Sequence, residues 1–312
     1  MSIANGNDFG QLVVFHGVNV VYELRTLLMN LLSIGSMAFL LALVSGLAWS
    51  AMDVARKLLS QQFGALSLSF WLVLAVTPIY GFWALQGGEV PVAGYWVPAF
   101  CSMILAAIAS VAFISAVRKG HLGKLIPVLA LTPIISGIFG LLLTNEHISL
   151  NQWWAILAIV VSIFFLNDGL KTRRGSGLGL MLLVSFCWGV GTVLDKWAIE
   201  YATPPIHGFV QSGGVAFLLA LAAMMTKQSL RIKSQSLGLF LLTVVIFVLA
   251  VSTQWFALQT MESGVLESIK RGVGIIGAFV WSMVLFKQSM RIAQICWCFV
   301  IIVASLVLAH AA

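Results

Sequence analysis

Ten apolar runs dominate the sequence and restrict what the chain can fold into. Each run is close to the roughly 20 residues that an α-helix needs to cross a bilayer. Because lipid offers no hydrogen-bond partners, a spanning segment must satisfy its backbone groups internally, as a helix does. The pattern therefore predicts an all-α polytopic membrane protein with ten transmembrane helices, at 36–56, 66–86, 95–116, 122–143, 152–168, 177–197, 206–226, 236–258, 264–286 and 291–310.

The composition excludes most other classes of protein. Of the 312 residues, 61% are apolar or aromatic and 9% are charged, whereas soluble domains carry about 25% charged residues. So few charged side chains cannot cover the surface of a soluble fold, which excludes a soluble domain, a disordered chain and a nucleic-acid-binding protein. The four cysteines lie within apolar runs, which indicates packing residues and neither disulfides nor metal ligands.

The sequence also repeats. Each half has a tryptophan followed eight residues later by a lysine, and the copies are 139 residues apart: Trp49 with Lys57, and Trp188 with Lys196. A polar turn followed by a new apolar run recurs at 146–152 and 288–294. We divide the chain into a first five-helix repeat at 36–168 and a second at 177–310. An odd number of spans per repeat inverts the second repeat relative to the first, an arrangement common in secondary transporters.

Residues 1–35 form a leader ahead of the first repeat. Its apolar stretch at 12–34 is interrupted by Glu23 and Arg25, which would be expensive inside a membrane span. The leader also lacks the basic start, short apolar core and small-residue cleavage site of a signal peptide. We therefore expect an interfacial or poorly ordered segment.

Several short motifs resemble the ten-helix, EamA-type members of the drug/metabolite transporter superfamily. Trp49-Ser50 and Trp188-Gly189 resemble the family's Trp-Gly pair in helices one and six. The most recognisable part of a repeat is matched in helices four and five by Leu125-Ile126-Pro127, Pro133, Leu142-Leu143-Thr144-Asn145-Glu146 and Gln152-Trp153. In the second repeat, Lys287-Gln288 stands where the family has Gly-Glu. The resemblance implies secondary transport, with a site between the repeats near the membrane midplane.

Helix nine carries three charges inside an apolar run. Glu267, Lys270 and Arg271 lie within 264–286, and a charge at the centre of a membrane helix costs about 2.5–3.5 kcal/mol on insertion scales. Spacings of three and four residues bring Glu267 onto the same helical face as both cations. The alternative interpretation is a structural ion pair between Glu267 and one cation at the membrane border, which would leave the second cation unpaired. We therefore predict that Lys270 and Arg271, together with Glu267, bind an anionic substrate.

The resemblance adds a candidate in helix four. In the sugar-phosphate and nucleotide-sugar branches of the superfamily, a lysine early in helix four and a Lys-Arg pair in helix nine hold the substrate phosphate. Lys124 stands early in helix four here, and Lys270-Arg271 stands in helix nine. A lysine supplies a mobile point charge, and an arginine supplies a planar fork that binds two phosphate oxygens. The resemblance therefore implies that Lys124 contacts the substrate.

Helices one and six carry further charges near their ends. Asp53 and Asp195 are each placed either to pair with a neighbouring basic residue or to couple transport to a proton or another ion. Arg56 and Lys57 end helix one, and their long side chains are expected to reach the membrane interface. The two aspartates are thus candidate coupling residues, whereas Arg56 is assigned no role in the site.

Uncharged residues complete the predicted site. Trp49 and Trp188 lie near the centres of their helices, where they either wall a cavity or serve in packing. Gln211, Gln254 and His207 either line the site or form hydrogen bonds between helices. We include both tryptophans and both glutamines among the candidate substrate-binding residues.

One motif is rejected. Residues 272–277 read Gly-x-Gly-x-x-Gly, the dinucleotide fingerprint, but they lie inside an apolar helix with no preceding strand and no following acidic residue. Such glycines instead allow neighbouring helices to approach closely. The sequence also has no Walker motif, no metal-ligand cluster and no set of nucleophile, histidine and acid. We therefore expect no cofactor, no metal site, no enzymatic activity and no ATP-driven pump.

These features together predict a secondary transporter that works by alternating access in a bacterial inner membrane. Its substrate is expected to be a small organic metabolite bearing a phosphate or a carboxylate. The alternative is a flippase for a lipid-linked or phosphate-headed amphiphile, because the same cations would hold a lipid phosphate. The expected partners are the substrate and the membrane lipids, and no nucleic acid.

The distribution of basic residues predicts the orientation in the membrane. The loops after helices one, three, five, seven and nine share one side, and that side holds twelve basic residues, against Arg25 and Lys196 opposite: Arg56, Lys57, Arg118, Lys119, Lys171, Arg173, Arg174, Lys227, Arg231, Lys233, Lys287 and Arg291. The positive-inside rule places these loops in the cytoplasm and both termini outside, whereas the resemblance implies cytoplasmic termini. A C-terminal phosphatase fusion should be active in the periplasm. Fluorescence of a C-terminal reporter that folds only in the cytoplasm would contradict this orientation.

Overall fold

The computed structural model describes residues 34–87, 90–119, 125–166, 177–230, 237–286 and 292–311. These residues form ten α-helices, one for each apolar run, so the predicted all-α fold is confirmed. The helices are α1 (Ile34–Leu59), α2 (Ala65–Gly87), α3 (Trp96–Lys119), α4 (Thr132–Leu143), α5 (Leu150–Leu166), α6 (Leu178–Ile199), α7 (Pro204–Met225), α8 (Leu237–Leu258), α9 (Ser263–Phe286) and α10 (Ile292–Ala311). Nearly all of the predicted leader lies outside the described residues.

Helix four is shorter than its apolar run. A 3-10 segment (Ile126–Leu131) replaces its first part, and α4 begins at Thr132. Proline has no N–H, and its ring clashes with the carbonyl four residues earlier, so Pro133 prevents a regular α-helix from running through this point. The hydroxyl of Thr132 lies 2.7 Å from the carbonyl oxygen of Leu129. The break therefore leaves a polar side chain at the start of α4.

The helix packing follows the internal repeat. Helix α3 of the first repeat packs on α6 of the second repeat. Its equivalent in the second repeat, α8, packs on α1 of the first repeat. Likewise α4 packs on α6, as α9 packs on α1. The remaining main pairs join equivalent helices: α2 with α7, α4 with α9, and α5 with α10. This reciprocal pattern is the one expected of two inverted repeats that share a single core.

The surface is apolar, and several charges are buried. Large apolar side chains face outward, with Leu85 exposed at 84% and Phe217 at 68%. Glu267, in contrast, is 0% exposed. Within the described part of the chain, six helices (α1, α2, α3, α6, α7 and α8) are long and apolar enough to cross a membrane. A chain with this arrangement is suited to lipid outside and to a polar site inside.

Glycines set the position of α9. A Cβ atom on Gly46 of α1 would lie 2.8 Å from the carbonyl oxygen of Lys270, and one on Gly264 would lie 2.8 Å from the Cα atom of Gly137. Only glycine therefore allows α9 to approach α1 and α4 this closely. Gly274, from the rejected dinucleotide motif, lies against Gly46 in the same contact. Small residues at helix contacts are typical of membrane proteins.

Candidate functional site

A cavity of about 120 Å³ lies between the two halves of the chain. Its walls come from α1, α2 and α3 and from α6, α7, α8 and α9. An engineered cavity of about 150 Å³ holds benzene, so this one suits a small molecule or one part of a larger molecule. Eight of the predicted site residues line it: Trp49, Trp188, Asp195, Gln211, Gln254, Glu267, Lys270 and Arg271.

Glu267 is the centre of a buried charge cluster in α9. Its carboxylate forms ion pairs with Lys270 and, at 3.3 Å, with Arg271. The hydroxyl of Thr132 lies 3.1 Å from one carboxylate oxygen, and that of Thr192 lies 2.9 Å from the other. The break that begins α4 thus positions Thr132 against the cluster, where its hydroxyl also accepts a hydrogen bond from Arg271 Nε at 3.0 Å. One carboxylate neutralises two cations only in part.

Gln254 connects this cluster to the tryptophans. Its Oε1 accepts hydrogen bonds from Lys270 Nζ at 2.6 Å and from Trp49 Nε1 at 3.0 Å. The ring centroids of Trp49 and Trp188 are 5.8 Å apart. Lys270 Nζ lies 5.6 Å from the centroid of the Trp49 ring, and the Arg271 guanidinium carbon lies 5.2 Å from that of Trp188. The two equivalent tryptophans therefore meet in the cavity wall beside the cations.

Asp195 is the centre of a second network. Its Oδ1 accepts hydrogen bonds from Gln211 at 3.0 Å and from Ser102, while its Oδ2 accepts one from Trp255 at 3.1 Å. His207 Nε2 lies 3.3 Å from Oδ1. The opposite ring nitrogen of His207 lies 3.0 Å from the Tyr95 hydroxyl. Sequence reasoning missed Ser102, Trp255 and Tyr95, because a serine, a tryptophan and a tyrosine in apolar helices carry no signal of their partners.

Lys196 does not pair with Asp195, its neighbour in the chain. Consecutive residues of a helix point in different directions, and Lys196 Nζ instead lies 3.1 Å from Glu146 Oε1. Glu146 follows α4 and also accepts hydrogen bonds from the backbone N–H and the hydroxyl of Ser263, at 2.9 and 2.7 Å. Ser263 begins α9, where an acidic side chain is favourable. At the equivalent position of the first repeat, Lys57 donates to the carbonyl oxygen of Val117 near the end of α3.

The predicted position of Arg56 at the membrane interface was wrong. The residue is 5% exposed and lines the cavity. A sequence signal did exist, because the repeat offset of 139 residues places Arg56 at the position equivalent to Asp195. The prediction of basic loops on one side does not depend on Arg56, since the other loops of that side carry two or three basic residues each.

Of the predicted site residues that the structure describes, Asp53 does not line the cavity. It is 5% exposed within α1, and its Oδ1 has no hydrogen-bond partner among the described residues. Lys124 lies outside the described residues, so its predicted contact with substrate stays a prediction.

Comparisons with known proteins agree with this architecture. The model of the EamA-like transporter family matches two stretches, 36–168 and 175–309. A comparison with curated proteins finds no match. One solved structure, described as "Crystal structure of protein", is 16% identical and has a TM-score of 0.71. That match covers 87% of this chain and 96% of the other, and it shows a shared fold. Because the family model matches twice and spans most of the sequence, the chain belongs to the EamA-like transporter family.

Proposed function

We propose that this membrane transporter moves a small organic anion, bearing a carboxylate or a phosphate, by alternating access. The observation that carries the proposal is the charge within the cavity wall. Arg56, Lys270 and Arg271 line it, against the carboxylates of Glu267 and Asp195. Unpaired charge is expensive inside a membrane protein, so a surplus of cations favours an anion as the bound species.

Contacts at the ends of α1 and α6 support alternating access. The cavity is shared between the repeats, and contacts at helix ends bridge elements that must separate for it to open. Lys196 and Glu146 join α6 to the turn after α4, and Lys57 joins α1 to the end of α3. Because the repeats are inverted, these two contacts belong to opposite membrane faces. We infer that breaking one set of contacts at a time exposes the cavity first to one side and then to the other.

A ligand screen tests the proposal. The purified protein in detergent is heated with carboxylates, phosphate monoesters, amino acids, amines and short-chain lipid phosphates, because a ligand that binds the folded state raises the melting temperature. We expect anions of low molecular weight to raise it most. Compounds that do so are then loaded into proteoliposomes for counterflow measurements. Stabilisation by amines alone would contradict the proposed charge of the substrate.

The same screen separates a solute carrier from a flippase. A flippase would be stabilised by lipid phosphates and would move a fluorescent lipid between leaflets, whereas the solute carrier would show neither property. The small volume of the cavity, about 120 Å³, favours the solute. Lipid scrambling by the reconstituted protein, without solute counterflow, would overturn this choice.

We also propose that Asp195 couples transport to protons. It lines the cavity, and His207, which is 0% exposed, connects it to Tyr95. Chains of aspartate and histidine are typical of proton relays in transporters. Asp53 is the alternative coupling residue, because it is also a buried carboxyl in a repeat-initiating helix.

Replacing Asp195 with asparagine is expected to abolish stimulation of uptake by an imposed pH gradient. Exchange of labelled for unlabelled substrate needs no net proton movement, so counterflow should persist. Asp53→Asn is the matched variant, and it should retain the response to the gradient. If the gradient drives uptake by Asp195→Asn but not by Asp53→Asn, the coupling residue is Asp53.

A further inference from the structure

Arg56 has an unused hydrogen-bond donor inside the cavity wall. The side chain is buried, and its Nη1 has no hydrogen-bond partner among the described residues. A buried charged donor without a partner is costly, more so than a neutral one. Native proteins leave few buried polar groups unpaired, so an unpaired one in a cavity wall calls for a partner that the protein itself does not supply.

Four aromatic rings enclose the Arg56 guanidinium. Its central carbon lies within 6 Å of four ring centroids, at 5.2 Å for Trp49, 5.5 Å for Phe113, 5.7 Å for Phe247 and 5.9 Å for Trp188. Aromatic faces stabilise a cation, but they offer no oxygen to accept its N–H groups. The cage therefore holds the charge in place while leaving its directional hydrogen bonding unfilled.

The equivalent position in the second repeat shows the contrast. Asp195 corresponds to Arg56, and both of its oxygens accept hydrogen bonds from neighbouring side chains. The same repeat position thus carries a satisfied anion in one half and an unsatisfied cation in the other.

Neighbouring acids do not supply the missing partner. Glu267 is already paired with Lys270 and Arg271. Asp53 lies one helical turn before Arg56, yet no ion pair joins the two within the described part of the chain, and Asp53 Oδ1 is itself without a hydrogen-bond partner. Arg56 therefore keeps a buried donor in the cavity wall for which no described protein group supplies an acceptor.

We propose that Arg56 binds the anionic group of the substrate, a carboxylate or phosphate, through the free edge of its guanidinium. This inference rests on the proposed transport of an organic anion and names the residue that recognises the charge. The planar guanidinium matches such a group better than an ammonium does. The surrounding rings would then contact the apolar part of the same molecule.

Matched ligand pairs test the assignment. The purified protein is titrated with acids and with analogues in which one acidic group is removed or neutralised, with melting temperature as the readout: acetate and acetamide, phenylacetate and phenylacetamide, phenylalanine and phenylalaninamide, phosphoserine and serine, and lysophosphatidate and monoacylglycerol. The variants are Arg56→Gln and Arg56→Lys. Arg118→Gln is the control, because Arg118 is exposed at the end of α3.

We expect at least one acid to stabilise the wild-type protein more than its analogue does. Arg56→Gln should weaken that acid about tenfold or more, as for a lost charge-assisted hydrogen bond, and leave the analogue unchanged. Arg56→Lys keeps the positive charge, so it should stay folded even if Arg56→Gln proves unstable. It should lose part of the preference for the acid over its analogue. The pair that responds also separates a soluble carboxylate from a soluble or lipid phosphate.

Two results would overturn the assignment, and they differ in what they imply for transport. If both Arg56 variants keep the wild-type preference for the acid, Arg56 does not bind the anion, although the transporter still moves one. If neutral compounds or amines alone bind and are transported, the proposed anionic substrate is wrong, and the role of Arg56 fails with it.

Discussion

Replacing Glu267 with glutamine is expected to destabilise the folded protein by about 3–5 kcal/mol, as when one partner of a buried ion pair is removed. Glu267 is fully buried, and it pairs with both Lys270 and Arg271. The amide keeps the shape of the side chain, but it cannot neutralise either cation. Differential scanning fluorimetry of the purified protein, with tryptophan emission as the signal, measures the loss.

Two comparisons show whether the effect comes from the ion pairs. Glu200→Gln removes an exposed carboxylate just after α6, and we expect a change of about 0.5 kcal/mol or less. Adding Lys270→Met to Glu267→Gln should recover part of the stability, because one buried cation is then gone. A melting temperature of Glu267→Gln equal to that of the wild type would show that the cluster does not stabilise the fold.

Replacing either Lys270 or Arg271 with alanine is expected to abolish transport while the protein stays folded. In each variant the remaining cation still pairs with Glu267, so no buried carboxylate is left unpaired. Removing one charged partner of a buried contact costs about 2 kcal/mol or more of binding energy, or roughly thirtyfold in affinity. Counterflow in proteoliposomes, with the anion that the screen identifies, measures the loss.

The control for these variants is Lys119→Ala, which removes an exposed basic residue at the end of α3. It should transport at the wild-type rate. Lys270→Arg should keep part of the activity, because it keeps the charge but changes the shape of the donor. Normal counterflow by both alanine variants would show that these cations do not bind the substrate. Loss of the folded protein would instead assign them a structural role.

The positions of the helices followed from the sequence because lipid leaves a long apolar run few alternatives to a helix. The run predicted at 206–226 forms a helix over Pro204–Met225, and the run at 236–258 forms one over Leu237–Leu258. The repeat was also visible in Trp49 and Trp188, whose rings meet across the pseudo-symmetric centre of the fold.

The local sequence was less informative about helix four. Its run at 122–143 is mostly apolar, and hydropathy alone predicts an uninterrupted helix. Pro133 stops the α-helix before Thr132, and the cost of a proline within a helix depends on what packs around it. The effect of this break, a hydroxyl placed against Glu267, depends on contacts between α4 and α9.

The partners of the charged residues required the tertiary structure. Arg56 and Lys57 are adjacent at the end of α1, and snorkelling to the interface was a reasonable expectation for both. Only the tertiary structure, which brings rings of α6 and α8 beside α1, encloses Arg56 among aromatic side chains. Similarly, Lys196 pairs with Glu146 because α6 ends beside the turn that follows α4.

The sequence by itself determined that this chain is a ten-helix membrane protein of two inverted repeats with charges in helix nine. Those features depend on hydropathy and on spacing along the chain, which are local. Only the tertiary structure decided which charges are neutralised, because an ion pair or a hydrogen bond needs atoms within a few ångströms of each other, on whichever helices supply them. Glu267 forms ion pairs with two cations of its own helix, and Asp195 accepts hydrogen bonds from residues of three other helices. Arg56, in contrast, keeps an unpaired donor in the cavity wall.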